Sequence, residues 1–194
     1  VAATPNGVTL SEIDTKLFKG TANGRIAVTN PSGRLAVAAN LQLKGLDGHA
    51  LLVAVGATDR IAGTLNATAN LTGSGNDGKA IQNSLNGTAS FQFANGALRG
   101  YNLAGMFRAI GDIKNPLEIV QQVKKAVDSL NRFDANQKTD FSELSASFRA
   151  TNGVFATNDL RMTAPLIRVE GRGTISLPAS AVDMGLLVKA VPTL

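Results

Sequence analysis

Apolar and polar residues alternate strictly along much of the chain. Leu35, Val37, Ala39, Leu41 and Leu43 interleave with Ala36, Ala38, Asn40 and Gln42. Ile61, Gly63, Leu65, Ala67, Ala69 and Leu71 interleave with Thr64, Asn66, Thr68, Asn70 and Thr72. The same pattern returns at Ala89, Phe91 and Phe93, at Leu144, Ala146, Phe148 and Ala150, at Gly173, Ile175 and Leu177, and at Val182, Met184, Leu186 and Val188. Period-2 alternation predicts strands with one dry and one wet face. Asn-Gly pairs at 6–7, 23–24, 86–87, 95–96 and 152–153 punctuate these runs. Asn-Gly suits the type I′ hairpin turn, so the pairs predict tight turns between consecutive antiparallel strands.

Helical spacing is rare. Asn115 and Pro116 make a cap and a first turn, and Leu117, Val120, Val123, Val127 and Leu130 then form an apolar stripe ending near Asn131. Shorter helices are predicted over 103–110 and 48–55. These two belong to an internal repeat, in which Leu43–Gly56 aligns without gaps to Leu98–Gly111, and Thr58-Asp59 to Thr139-Asp140. The expected organisation is a single β-rich domain over 1–194. It contains a pseudo-repeat, 43–72 and 98–151, and a helical insertion at about 113–136. A repeated supersecondary unit favours an extended, stacked sheet over a closed globule.

Composition narrows the chemistry. The 194 residues include no Cys, no Trp and one His, which removes thiolate sites, disulfides and His-rich metal centres. Charged residues are only 17%, and the net charge of +5 comes from singly scattered Lys and Arg, with Lys124-Lys125 the one adjacent pair. Without basic residues interleaved with aromatics, nucleic-acid binding is not expected. No stretch has the length of a membrane-spanning helix. The chain starts at Val1 and reads as a segment of a longer protein.

No motif reads as a catalytic or metal centre. The stretch Gly73–Lys79 has phosphate-loop glycines, but Ala80 stands where a P-loop needs Ser or Thr. It reads as a connector. His49 is replaced by Ala104 in the second repeat and has no paired acid. Asp59 and Asp140 suit turns or caps. The sequons at Asn66, Asn70 and Asn86 follow from Asn and Thr alternating on a wet face. What remains is the apolar face. It reads either as an ordinary closed core or as an open sheet whose apolar side holds lipid tails, since an uncovered apolar face must meet something greasy.

Several segments resemble the AsmA family of Gram-negative envelope proteins. They are Leu17–Gly20 with Gly24, Leu85–Phe91, Asn95–Gly100, Thr139–Leu144, Asn152–Val154, Asp159–Leu166 and Val169–Pro178. The resemblance implies the C-terminal part of a long, β-rich periplasmic body on an inner-membrane helix that this chain lacks. It implies a role in outer-membrane biogenesis, and kinship with bridge-like lipid-transfer proteins that carry phospholipid acyl chains in a groove. It also assigns motif turns to Gly87, Gly96, Gly100, Asp140, Gly153, Pro165, Gly171 and Gly173.

The expected fold is mainly β. It is an extended, curved, mostly antiparallel sheet with an apolar inner face and about three short helices. The expected function is non-enzymatic. Leu35, Val37, Leu41, Leu43, Ile61, Leu65, Leu71, Phe91, Phe93, Phe148, Ile175 and Leu177 would hold phospholipid or fatty acyl chains for transfer between membranes. No cofactor, metal or nucleic acid is expected. Membrane contact would come through segments outside this chain, with envelope proteins as possible partners. The alternative is a structural module whose closed β core docks on envelope proteins.

Overall fold

A computed structural model describes residues 2–4, 7–30, 33–103, 134 and 136–191. Strand accounts for 70% of the described residues. The strands are β1 (Ala2–Thr4), β2 (Gly7–Leu17), β3 (Gly20–Thr29), β4 (Leu35–Asp47), β5 (Ile61–Gly75), β6 (Asn86–Arg99), β7 (Lys138–Thr151), β8 (Val154–Thr163), β9 (Ile167–Ser176) and β10 (Ala181–Ala190). Helix α1 (Gly48–Ala54) joins β4 to β5, and α2 (Gly78–Asn83) joins β5 to β6. All ten strands lie in one open sheet in chain order, and each described pairing is antiparallel. The expected helix over 116–131 falls outside the described residues, as do the insertion around it apart from residues 134 and 136 and all of the 103–110 helix beyond Leu103.

Only one described Asn-Gly pair makes a hairpin turn. Asn152 and Gly153 sit between β7 and β8 with φ of 48° and 74°, both left-handed as a type I′ turn requires. Asn23-Gly24, Asn86-Gly87 and Asn95-Gly96 lie inside strands instead. There glycine serves close backbone approach. At Gly24 and Gly87 the φ angles are 145° and 132°, and an added Cβ would lie 2.0 Å from the carbonyl oxygens of Asn40 and Asn70.

The strands keep an apolar side only by changing parity at bulges. Between Leu43 and Leu46 the register of β4 against β5 shifts by one, so the apolar series passes from odd to even positions. The displaced Gly45 N–H finds its acceptor in Asn66 Oδ1, at 2.9 Å. In β6 the extra residue is Asn95 (φ 49°), and Phe93 is followed on its face by Gly96 and Leu98. In β8 one extra residue between Thr157 and Leu160 is unmatched in both neighbours. There Asp159 supplies the missing acceptor. Its carboxylate takes the Ser147 N–H at 2.9 Å, the Ser147 hydroxyl at 2.5 Å and the Thr157 hydroxyl at 3.0 Å.

The buried core sits at one end of the sheet. Leu46, Leu65, Phe93, Phe141, Met162, Ala164, Ile167 and Val169 form it, with Leu17, Phe18, Leu51, Leu52 and Leu103 packed against it. The turn at Phe18–Lys19, α1 and the 164–166 turn all lie at this end. Gly48 of α1 lies so close to Phe93 that an added Cβ would fall 2.2 Å from the ring. At the opposite end α2 presses on Gly73 and Gly75, where a Cβ on Gly75 would stand 2.5 Å from that of Ala80. The Gly153 N–H donates to the Leu85 carbonyl at 2.9 Å, tying α2's exit to the β7–β8 turn.

Two stability predictions follow from this geometry. Gly87→Ala should destabilise the domain by about 1–3 kcal/mol, because it combines left-handed backbone with a clash. Gly78→Ala, in open space on α2, should be neutral or stabilise by about 0.4–1 kcal/mol. Urea melts that rank the two substitutions the other way would refute the close-approach account. The second prediction concerns acid. The Ser147 hydroxyl, then the Ser147 N–H and the Thr157 hydroxyl, hold the Asp159 carboxyl below its ordinary value. A folded pKa below the unfolded one contributes stability above the unfolded value of about 3.9 and loses it as pH falls through the folded value. Asp159→Asn should therefore lower the urea midpoint near pH 6, and the gap from the native chain should close toward pH 2.5.

Candidate functional site

Residues opposite one another in an antiparallel ladder share a face. The observed registers therefore place eleven of the expected contact residues together on one face. Leu35, Val37, Leu41 and Leu43 in β4 face Gly75, Gly73, Ala69 and Ala67 of β5. Leu65, Ala67, Ala69 and Leu71 face Phe93, Phe91, Ala89 and Gly87 of β6. Those in turn face Leu144, Ala146, Phe148 and Ala150 of β7. Ile61, opposite Leu98, joins the same series, and Ile175 reaches it through Phe155 and Ala150.

Leu177 is the exception. The alternation Gly173, Ile175, Leu177 runs past the end of the strand. Leu177 lies in the β9–β10 turn, 37% exposed, with its N–H on the Gly153 carbonyl. Five of the eight expected motif turns need correcting as well. Gly100 and Gly153 are turn residues and Pro165 lies in the β8–β9 connection. Gly87 and Gly96 lie within β6, Asp140 within β7, and Gly171 and Gly173 within β9. Asp140 pairs with Lys138 at 3.1 Å instead of capping. Thr139 does the local tying: its hydroxyl donates to the Tyr101 carbonyl and accepts the Leu103 N–H.

The face is not uniform. Leu65 and Phe93 are 4% exposed and belong to the packed core. Leu35, Val37, Leu41, Ala69, Leu71, Phe91, Phe148 and Ile175 are only half-buried. A line of rings crosses it diagonally from the core outward. Phe93 to Phe91, Phe91 to Phe148 and Phe148 to Phe155 have centroids 5.8, 6.0 and 6.5 Å apart. Phe155 escaped the sequence reading because the bulge at 157–160 breaks the period-2 signal of β8. The opposite face is wet. A shallow depression of about 370 Å³ there is lined by Gln42, Lys44, Asn66, Thr68, Ser90 and Gln92 beside Leu43, Ala67 and Phe91.

The polar candidates act structurally. The Gly73–Lys79 stretch ends β5 and enters α2, and its Asp77 carboxylate caps that helix by accepting the Ala80 N–H at 2.7 Å. An acid there is the wrong charge for a phosphate site. Asp47 caps α1 in the same way, and the Lys19 ammonium, then the Ala50 N–H, hold its carboxyl below the ordinary value. The two caps share the spelling Asp-Gly-X-Ala, at 47–50 and 77–80, which is a local signal for both helices. His49 Nε2 lies 3.3 Å from Arg99 Nη1. Among the described residues no group of His, Asp and Glu is arranged to hold a metal ion. No helix among them is long and apolar enough to cross a membrane.

Comparison with curated proteins and with solved structures returned no match. Comparison with known families matches residues 5–160, most of the chain, to the AsmA family. The matched span runs from β2 into β8 and takes in both short helices and the aromatic line as far as Phe155. The chain belongs to the AsmA family.

Proposed function

We propose that this domain is a non-enzymatic lipid-handling module of the bacterial envelope, which lays phospholipid acyl chains along its apolar face. The observation that carries the proposal is the register: apolar positions from β4 to β9 fall on one side of an open sheet and stay half-buried between its two ends. AsmA is a bacterial envelope family, which agrees with such a role. Burying each CH₂ contributes about 0.8 kcal/mol, so a single chain can bind without a specific polar site. In this reading the domain is the periplasmic part of an inner-membrane-anchored protein serving outer-membrane biogenesis. Segments outside this chain would then make the membrane contact. Headgroups would stay in water beside the rim.

The test separates the middle of the face from its packed end. A photo-crosslinker at Leu41 or Ala69 should capture phospholipid in domain purified from bacteria, and one at Gln42 or Asn70 should not. Leu41→Asp should abolish capture while the fold survives. Leu65→Asp should unfold the domain, because the buried carboxylate has no partner. If the probes at Leu41 and Ala69 capture only protein and Leu41→Asp unfolds the chain, the closed structural module is the better reading.

A further inference from the structure

The two margins of the sheet are built differently. Toward β1, β2 shifts register against β3 between Leu10 and Ile13, and Asp14 and Lys16 stand exposed. The other margin is β10, which among the described strands pairs with β9 alone. Its ladder to β9 runs from Ala181↔Ser176 to Ala190↔Ile167 without a bulge. No proline interrupts it, and Asp183 and Lys189 are its only charges. Val182, Leu186 and Leu187 are 69%, 59% and 55% exposed. A long, regular, apolar edge lacks the devices that keep edges from pairing, and it is a template for another strand.

The sequence of β10 says which strand. An antiparallel copy of β10 centred on Leu186 sets Asp183 against Lys189, Met184 against Val188, Gly185 against Leu187 and Val182 against Ala190. Both charge pairs form at once, because the arrangement is two-fold symmetric. Shifting by two residues in either direction leaves Asp183 and Lys189 opposite uncharged residues. Shifting by one sets the apolar side of one copy against the wet side of the other. Within its own chain Lys189 Nζ already reaches both Glu170 oxygens, at 3.0 and 3.1 Å, so it would stand between two carboxylates. We propose that β10 pairs with β10 of a second copy about a two-fold axis at Leu186, joining the sheets of two copies into one with a continuous apolar face. The pairing does not depend on whether that face binds lipid.

The chain has no cysteine, which makes the register directly readable. Leu186→Cys should form an intermolecular disulfide under mild oxidation, since cross-strand Cα distances of about 4.5–5.5 Å suit the bond. Val182→Cys should not, because its symmetry mate lies roughly 26 Å away along the strand. By light scattering, the native domain should be a dimer at micromolar concentration. Asp183→Lys alone and Lys189→Asp alone should each weaken it about tenfold or more, because each puts like charges opposite twice. Mixed together, these two variants should form a heterodimer, since every facing pair is then opposite in charge. Circular dichroism would establish that each variant is folded. A folded native domain that stays monomeric, equal crosslinking at 182 and 186, or a dimer indifferent to both charge changes would overturn the proposal.

Discussion

The structure depends on a constraint of the extended backbone: successive side chains point to opposite faces. An open sheet keeps one apolar side only if every strand keeps count with its neighbours. A strand one residue out of step puts its whole apolar set in water. Here the count is changed deliberately in β4, β6 and β8, and each bulge leaves ladder groups to be satisfied. Asn66 accepts the displaced Gly45 N–H, and Asp159 accepts the Ser147 N–H. These two side chains are short and polar and sit on the wet face. They let the apolar face pass through a bulge without an orphaned donor.

The consequence is a surface closed at its ends and less so between them. At one end Leu46 and Ile167 are fully buried, and α1 locks onto Phe93 through the missing Cβ of Gly48. At the other, α2 rests on Gly73 and Gly75. The glycines at these contacts are positions where a helix must touch the sheet backbone. Between the ends the Phe91, Phe148 and Phe155 rings contact one another in a line and keep part of their surface in water. In the proposed function such a surface would hold acyl chains by area and shape, without a specific polar site.

Local chemistry predicts some features better than others. The helix at 48–54 was legible, and so was the connector role of Gly73–Lys79, because caps and missing phosphate-loop residues are local. The Asn-Gly pairs were misleading. The same dipeptide that makes the turn at 152–153 also allows close strand approach at 23–24 and 86–87, and only the neighbouring carbonyl distinguishes the two uses. Leu177 continued an alternation that the backbone had already left. Phe155 was missed for the converse reason, since a bulge two residues later reversed the parity of its strand.

The sequence by itself determined the β class and the apolar side of most strands, because alternation with period 2 is a property of each strand alone. It also carried the family, through segments whose order and spacing are preserved along the chain. Only the tertiary structure decided the registers, the bulges that switch parity and the split of the apolar face into a packed end and a half-buried middle. Those depend on contacts between residues far apart in the chain. Leu65 and Leu71 lie on one strand and share one face, yet the first is sealed beneath α1 and its neighbours while the second is half-buried toward α2. Their difference lies in what the fold brings over them.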